Sequence, residues 1–213
     1  MTKNNPMCGL LTLTYFKTRS KILGGIIYSL VLGAAFLLSD IEMLKGMFVM
    51  SCMIYLPLQA LVGMSENEGK WERFQVSLPI KRGYLLKAQF ASLVFTVLIG
   101  AIILTVGIGA STVLHEMWFN DGFTSALLSS LHSYGLAFMA IGLCYLLSFI
   151  VGNFAAWMIA MLVPTIVQFT LTPIAEWLDI PIYALSAAAL VCSILIFIAS
   201  YFAMKKLFKT YDF

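Results

Sequence analysis

The charged residues of this chain, its main candidates for binding or catalysis, are concentrated in one segment. This charged segment, residues 66–87, reads ENEGKWERFQVSLPIKRGYLLK. The chain has 13 basic and 10 acidic residues, 23 in all, and eight of them lie here: Glu66, Glu68, Lys70, Glu72, Arg73, Lys81, Arg82 and Lys87. The spacing of these residues decides whether they serve nucleotide chemistry or binding.

The spacing argues against nucleotide hydrolysis by this chain. Gly69 and Lys70 could end a phosphate-binding loop, but Trp71 follows where Ser or Thr is needed, and no GxxxxGK[ST] occurs. We therefore predict that the chain is not an enzyme and that any energy from ATP comes through a partner.

Metal and thiol chemistry are not favoured either. His115 and His132 are far apart in one predicted outer loop and have no Cys or carboxylate cluster beside them. The cysteines occur singly, without a CxxC spacing, and we interpret them as small buried hydrophobic residues: Cys8, Cys52, Cys144 and Cys192. We expect no metal, no cofactor and no nucleic-acid partner for this chain.

Composition places the chain in a membrane. It is 61% hydrophobic and 11% charged, with a mean hydropathy of +0.95, whereas a soluble domain has about 25% charged residues. No linker or low-complexity tract divides it, so we expect one domain over residues 1–213. Lys17, Arg19 and Lys21 interrupt the first apolar segment, which argues against a cleaved signal peptide.

Six apolar stretches are expected to cross the bilayer as helices, which needs about 20 residues each. Residues 134–175 are uncharged, and as one helix they would be roughly twice as long as the hydrocarbon core is thick. This run must fold back, and Gly152-Asn153 is its best turn signal. The predicted spans are residues 22–39, 46–64, 88–114, 134–152, 154–175 and 182–204.

The basic residues predict how the spans are oriented. With six spans, 12 of the 13 Lys and Arg residues lie on the side of both termini and the charged segment, and Lys45 lies on the other. Basic loops stay in the cytoplasm, so both termini are expected inside. Five spans would place the basic C-terminal tail outside.

Two amphipathic segments are expected to lie beside the spans. Residues 6–21 mix leucine and aromatic residues with basic ones, and we predict a helix lying in the inner interface. Residues 115–133 contain no Lys or Arg, and their aromatic residues suit the outer interface.

By this layout no ionisable side chain lies inside a span. Proton-coupled carriers usually place such groups at mid-membrane, so a proton-driven carrier is disfavoured. An intramembrane protease is disfavoured for lack of a catalytic set. A sodium-coupled carrier that uses backbone carbonyls stays open.

Polar residues recur on two spans. Such stripes can line a wet pathway, or they can supply hydrogen bonds between packed helices; both interpretations stay open. The candidate pathway residues are Ser51, Tyr55 and Gln59 in span two, and Thr165, Gln168 and Thr172 in span five. Glycines 100 and 107, and 135 and 142, are two turns apart and predict close helix contacts.

Read as a helix, residues 66–78 place Trp71, Phe74 and Leu78 on one narrow apolar stripe, which Pro79 then ends. A surface that docks on another protein explains the aromatic and acidic residues. A solvated loop that meets anionic lipid explains the basic ones. From the residues alone, both interpretations stay open.

The segment EGKWERFQVSLPIKRGYLLKAQF resembles the signature of small, six-span permeases of bacterial type-2 ABC transporters. In that family an acidic, lysine-containing stretch leads to SLP, a basic residue and the next span. Ser77, Leu78, Pro79 and Arg82 match this order, and Glu68 stands near the usual acidic position.

The resemblance implies that the charged segment carries a coupling helix, which docks in a groove of a separate ATPase subunit. It also implies two permease chains, identical or different, with two ATPases that bind ATP and magnesium, in the bacterial cytoplasmic membrane. The implied activity is export, by alternating access, of a hydrophobic or amphipathic peptide, lipid or drug. The expected coupling residues are Glu68, Lys70, Trp71, Glu72, Arg73, Phe74, Ser77, Leu78, Pro79, Lys81 and Arg82.

Two other classes of function stay open. A secondary carrier or channel is weakened by the charge-free spans. A non-transporting scaffold or sensor subunit would use the charged segment as a signalling dock. An ATPase encoded next to this chain would favour the permease, and a sensor kinase without an ATPase would favour the scaffold.

Overall fold

The described part of the chain is almost entirely helical. The computed structural model describes residues 6–39, 42–65, 82–115, 127–128, 131–151 and 153–210. The helices within these ranges are α1 (Pro6–Leu38), α2 (Glu42–Met50), a π-helical turn (Ser51–Tyr55), α3 (Leu56–Ser65), α4 (Arg82–His115), α5 (Leu131–Val151), α6 (Asn153–Leu178) and α7 (Ile182–Thr210). We call α2, the π-helical turn and α3 together the second span.

These helices have the length and composition of membrane helices. Among the described residues, four stretches are long and apolar enough to cross a bilayer: Gly9–Leu38, Leu44–Val62, Gly83–Leu114 and Tyr183–Leu207. Shorter apolar stretches lie in α5 and α6. The predicted helical membrane protein is thus confirmed. The long uncharged run is two helices, α5 and α6, which pack against each other.

The N-terminal amphipathic segment is not a separate helix, contrary to our prediction. It continues into the first span as α1, a single helix of 33 residues, which is about 50 Å long at 1.5 Å per residue. The joining residues 14–21 contain no Pro or Gly that would break a helix. Leu10, Thr14 and Thr18 are buried on one side of this part.

Close contacts at glycines give the relative directions of the first helices. Two side chains of the second span each contact one glycine of α1 and one of α4: Phe48 contacts Gly33 and Gly107, and Leu56 contacts Gly25 and Gly100. On both helices, Leu56, which comes later in the sequence than Phe48, contacts the glycine that comes earlier. The second span therefore runs antiparallel to α1 and to α4, and α1 and α4 run parallel.

The directions of α5 and α7 follow in the same way. Gly135 of α5 lies against Leu190 of α7, and Gly142 lies against Phe197, so these two helices run parallel. Hydrogen bonds show that α4 and α5 are antiparallel, because Gln89 bonds with Tyr145 and Thr105 bonds with Tyr134. The close contacts predicted at all four glycines are confirmed. The directions of α1, the second span, α4, α5 and α7 are those that successive crossings of a bilayer would require.

The helices form two groups that meet along α5. In the first group α1, the second span and α4 pack together; in the second, α5 packs against α6 and α7. The π-helical turn contacts α1, α4 and α5, and its residues Cys52, Met53 and Ile54 are buried. The second span therefore carries the centre of the fold.

Candidate functional site

The π-helical turn at the centre of the bundle has a local cause in the sequence. The Leu56 N–H bonds to the Ser51 carbonyl, five residues earlier. Pro57 follows at once, and in an α-helix its ring would clash with the carbonyl four residues before it. A wider turn relieves this clash. Single π turns within α-helices occur frequently at functional sites.

The wider turn brings a backbone carbonyl against the neighbouring helix. In the π pattern the Cys52 carbonyl would accept from residue 57, but a proline has no N–H to donate. The Cys52 oxygen lies so close to Gly100 of α4 that a Cβ atom there would overlap it. Glycine permits this approach, and Cα–H groups are weak donors to such a carbonyl. The second span and α4 are therefore in backbone contact.

The predicted polar stripe of the second span lies on the π-helical turn and on the start of α3. Its three residues differ in burial and in contacts. Ser51 is buried, and its hydroxyl donates to the carbonyl three residues earlier at 2.9 Å. Tyr55 is half-buried with its ring centroid 4.9 Å from that of Tyr28. Gln59 is half-buried beside Gly25, so Tyr55 and Gln59 adjoin α1.

One of the three polar side chains predicted on α6 lies within the described residues. Thr165 is half-buried, and its hydroxyl donates to the Met161 carbonyl at 2.6 Å. The side chains of Gln168 and Thr172 fall outside the description. α5 packs against the second span and against α6. A cavity that is lined by both polar stripes stays a prediction.

The predicted coupling residues lie before or at the start of α4. Arg82 is the first residue of α4, and its side chain is outside the described part. The others are wholly outside it: Glu68, Lys70, Trp71, Glu72, Arg73, Phe74, Ser77, Leu78, Pro79 and Lys81. α4, a helix of 34 residues, therefore begins within the charged segment.

Sequence reasoning missed three polar contacts between helices, all of which involve α5. The Tyr145 hydroxyl donates to Gln89 Oε1 of α4. The Tyr134 hydroxyl lies 2.9 Å from Thr105 Oγ1, and it must donate because Thr105 donates to its own helix. His132 Nδ1 lies 3.2 Å from Ser186 Oγ of α7. These residues do not repeat along their helices, so periodicity gives no signal for them.

An aromatic cluster beside Gln89 joins the two helix groups. Phe90 of α4 packs against Tyr145, Phe197 and Tyr201, with ring centroids 5.1 to 5.3 Å apart. Phe90 is buried and lies about two turns into α4, counting from Arg82. The first turns of α4 are therefore packed against α5 and α7.

A comparison with known families identifies the family to which this chain belongs. The family model described as ABC-2 family transporter protein matches residues 10–209. The chain belongs to the ABC-2 transporter family. No curated protein and no solved structure matches it. The chain is thus a multi-pass membrane component of a transporter, and its family implies an ABC ATPase as partner.

The cysteines of this ABC-2 permease differ in burial. Cys52 and Cys144 are buried, as predicted, but Cys192 of α7 is exposed. Its neighbours Val191 and Leu195 are exposed as well, so this face of α7 points away from the bundle. Lipid tails are as apolar as a protein core, so a small hydrophobic residue suits that face without burial. Within the described residues, no three His, Cys, Asp or Glu side chains gather as a metal site would need.

Replacing Ser29 with alanine is expected to stabilise the ABC-2 permease by about 1 kcal/mol. The Ser29 hydroxyl is fully buried and makes no hydrogen bond of ordinary geometry among the described residues, since the Cys52 thiol beside it is only a weak partner. Removing a buried polar group without a partner removes its desolvation cost. Thermal unfolding in detergent measures the effect. The control is Ser200→Ala, because the Ser200 hydroxyl donates to the Ile196 carbonyl at 2.8 Å. A lower melting temperature for Ser29→Ala would contradict the assignment.

Proposed function

We propose that this chain is the permease subunit of a bacterial ABC exporter in the cytoplasmic membrane, with six spans and both termini inside. Two permease chains and two ATPases, which bind ATP and magnesium, form the complete transporter. ATP-driven closure of the ATPases moves a hydrophobic or amphipathic peptide, lipid or drug by alternating access. The family match over residues 10–209 carries this proposal.

The ATPase test is co-expression of the chain with the ABC ATPase encoded beside it. We expect the two to purify together, and we expect hydrolysis of magnesium ATP to respond to a transported compound after reconstitution into lipid discs. An ATPase variant without its phosphate-loop lysine controls for background turnover. A chain that purifies without any ATPase, next to a sensor kinase gene, would favour the scaffold function instead.

The orientation of the spans predicts a pattern of labelling from outside the cell. The alternating helix directions and the distribution of basic residues support it. After replacement of the native cysteines, Trp177→Cys should react with a maleimide that cannot cross the membrane, since Trp177 is 84% exposed. Lys205→Cys, also exposed, should react only in permeabilised cells. Labelling of Lys205→Cys or of residues 66–87 in intact cells contradicts six spans with both termini inside.

The pathway proposal places Gln59, Gln168 and Thr172 around a common cavity between two permease chains. Replacing Gln168 with leucine should change the ATP turnover that a cargo stimulates, because an amide in the path is lost while the volume is nearly kept. Assembly with the ATPase should be unchanged. If the variant instead lowers only the melting temperature, the stripe serves helix packing.

A further inference from the structure

A stripe of exposed residues runs along one face of α1, from its basic first half into its apolar second half. It consists of Phe16, Arg19, Leu23, Ile27 and Val31, all of them exposed, and we call it the α1 stripe. Their spacing of three or four residues places them on one side of a helix. We propose that this stripe binds one anionic phospholipid, with the lipid phosphate on Arg19 and an acyl chain along the apolar residues.

The length of α1 places Arg19 at the level of the lipid phosphates. The hydrocarbon core is about 30 Å thick, which corresponds to about 20 helical residues. Counted back from Leu38, where α1 ends, this distance reaches the region of Arg19. The assignment of that level to the cytoplasmic leaflet rests on the proposed orientation. The depth of Arg19 in the bilayer does not depend on that orientation.

Aromatic contacts hold the Arg19 guanidinium in place. It lies 5.4 Å from the centroid of the Phe16 ring, and Tyr15 packs edge-on against that ring at 5.9 Å. A guanidinium carries five N–H donors in a fork that matches phosphate oxygens. The first 39 residues contain no Asp or Glu, so no carboxylate of α1 competes with a phosphate.

The same arrangement occurs at the start of the neighbouring helix. On α4 the Lys87 ammonium lies 5.8 Å from the centroid of the Tyr84 ring, with the aromatic residue again three positions before the base. Both residues are exposed. Since α1 and α4 are parallel and in contact, both pairs add positive charge at the same end of the bundle. Each basic residue near an anionic lipid surface contributes about 1 kcal/mol.

The apolar part of the stripe favours a phospholipid over a free phosphate. Leu23, Ile27 and Val31 are 53%, 60% and 61% exposed. They follow Arg19 directly toward the outer end of α1, in the direction that the acyl chains of a cytoplasmic-leaflet lipid take. A free phosphate would use Arg19 and leave these residues without a ligand. The α1 stripe thus matches both parts of an anionic phospholipid.

The test titrates phosphatidylglycerol or phosphatidylcholine into the purified chain in a neutral detergent. Phosphatidylglycerol should raise the melting temperature in a saturable way, because a ligand that binds the folded state stabilises it. Arg19→Gln should raise the half-saturating concentration about fivefold, the equivalent of about 1 kcal/mol. Arg19→Lys keeps the charge but loses the fork, and it should lie between the two. Lys45→Gln is the control, since Lys45 of α2 lies at the opposite end of the bundle from Arg19, and it should behave as wild type.

Several results would overturn the proposal. An equal response to both lipids would show that the contact is purely apolar. An equal response to inorganic phosphate would show that the acyl chain does not contribute. An unchanged phosphatidylglycerol response in Arg19→Gln would remove Arg19 from the site. An equally large loss in Lys45→Gln would show that the effect comes from net charge alone. None of these outcomes depends on whether an ATPase binds the chain, so they leave the exporter proposal unaffected.

Discussion

Replacing Gly100 with alanine is expected to lower the melting temperature of the purified chain by about 6–12 °C. The new Cβ atom would overlap the Cys52 carbonyl oxygen and would lie 3.2 Å from its carbon. Both atoms belong to the backbone of a buried turn, so no side-chain rotation can relieve the clash. Overpacking of this kind costs about 3 kcal/mol at its upper range, and 1 kcal/mol shifts the melting temperature of a chain this size by about 2–4 °C.

The control for this variant lies on the same helix. A Cβ atom at Gly83 would meet nothing within 4 Å, so Gly83→Ala should gain about 0.5–1 kcal/mol from the reduced flexibility of the unfolded chain. Gly107→Ala should fall between the two, because its clash is with the Phe48 ring, which can move. If Gly100→Ala and Gly83→Ala melt at the same temperature, α4 does not pack on the π-helical turn.

The helical membrane fold was predictable because its signals are long. Runs of about 20 uncharged, apolar residues have few stable alternatives to membrane helices, since every buried backbone group must be bonded within the helix. Glycines 100, 107, 135 and 142 were predictable contacts, because a residue without a side chain lets two helices approach closely. The family was predictable from the residues around Ser77-Leu78-Pro79, and the match over residues 10–209 agrees.

The π-helical turn was missed although its cause is visible in the sequence. Pro57 stands in the middle of the stretch predicted as an unbroken span. A proline inside a membrane helix can be accommodated by a kink, by a turn of another width or by a neighbouring side chain. Packing against α1, α4 and α5 decides which of these forms. Local sequence therefore locates the disturbance, while its shape depends on tertiary contacts.

The continuity of α1 was not predicted, because the composition changes along this helix whereas the helix propensity stays the same. The basic residues near Lys17 mark where the bilayer begins, but a membrane boundary does not end a helix. The contacts of α5 were missed for a different reason. Gln89 and Tyr145 lie on different helices, 56 positions apart, and no pattern within one helix indicates a partner on another.

The missed contacts of α5 show how the two helix groups are connected to the charged segment. The segment leads into Arg82, and α4 is held by Phe90 and Gln89 to α5 and α7. Further along, Gly100 holds α4 to the second span. α4 thus contacts the second span as well as α5 and α7. The predicted docking of an ATPase on the charged segment would act on this helix, so we expect the loss of that docking to have the largest effect on transport.

Replacing Trp71 and Phe74 together with alanine is expected to weaken docking of the ATPase about thirtyfold. The two side chains lie on one stripe of the predicted coupling helix, which falls outside the described residues. Binding energy at interfaces is concentrated in a few aromatic and arginine residues, whose truncation costs about 2 kcal/mol or more. At 1.4 kcal/mol per factor of ten, that loss corresponds to about thirtyfold. Titration of the ATPase onto the reconstituted permease measures it, and ATP turnover should lose its coupling to transport.

The control is the double variant Trp177→Ala and Phe202→Ala, which removes the same two residue types elsewhere. These side chains are 84% and 60% exposed, and by the proposed orientation Trp177 lies outside the cell. This variant should bind the ATPase as wild type does, because neither residue belongs to the charged segment. Both variants should keep the melting temperature of the membrane helices, which separates lost docking from lost folding. If the Trp71 and Phe74 variant still binds the ATPase and exports normally, the charged segment is a solvated loop, and force must enter the permease at another surface.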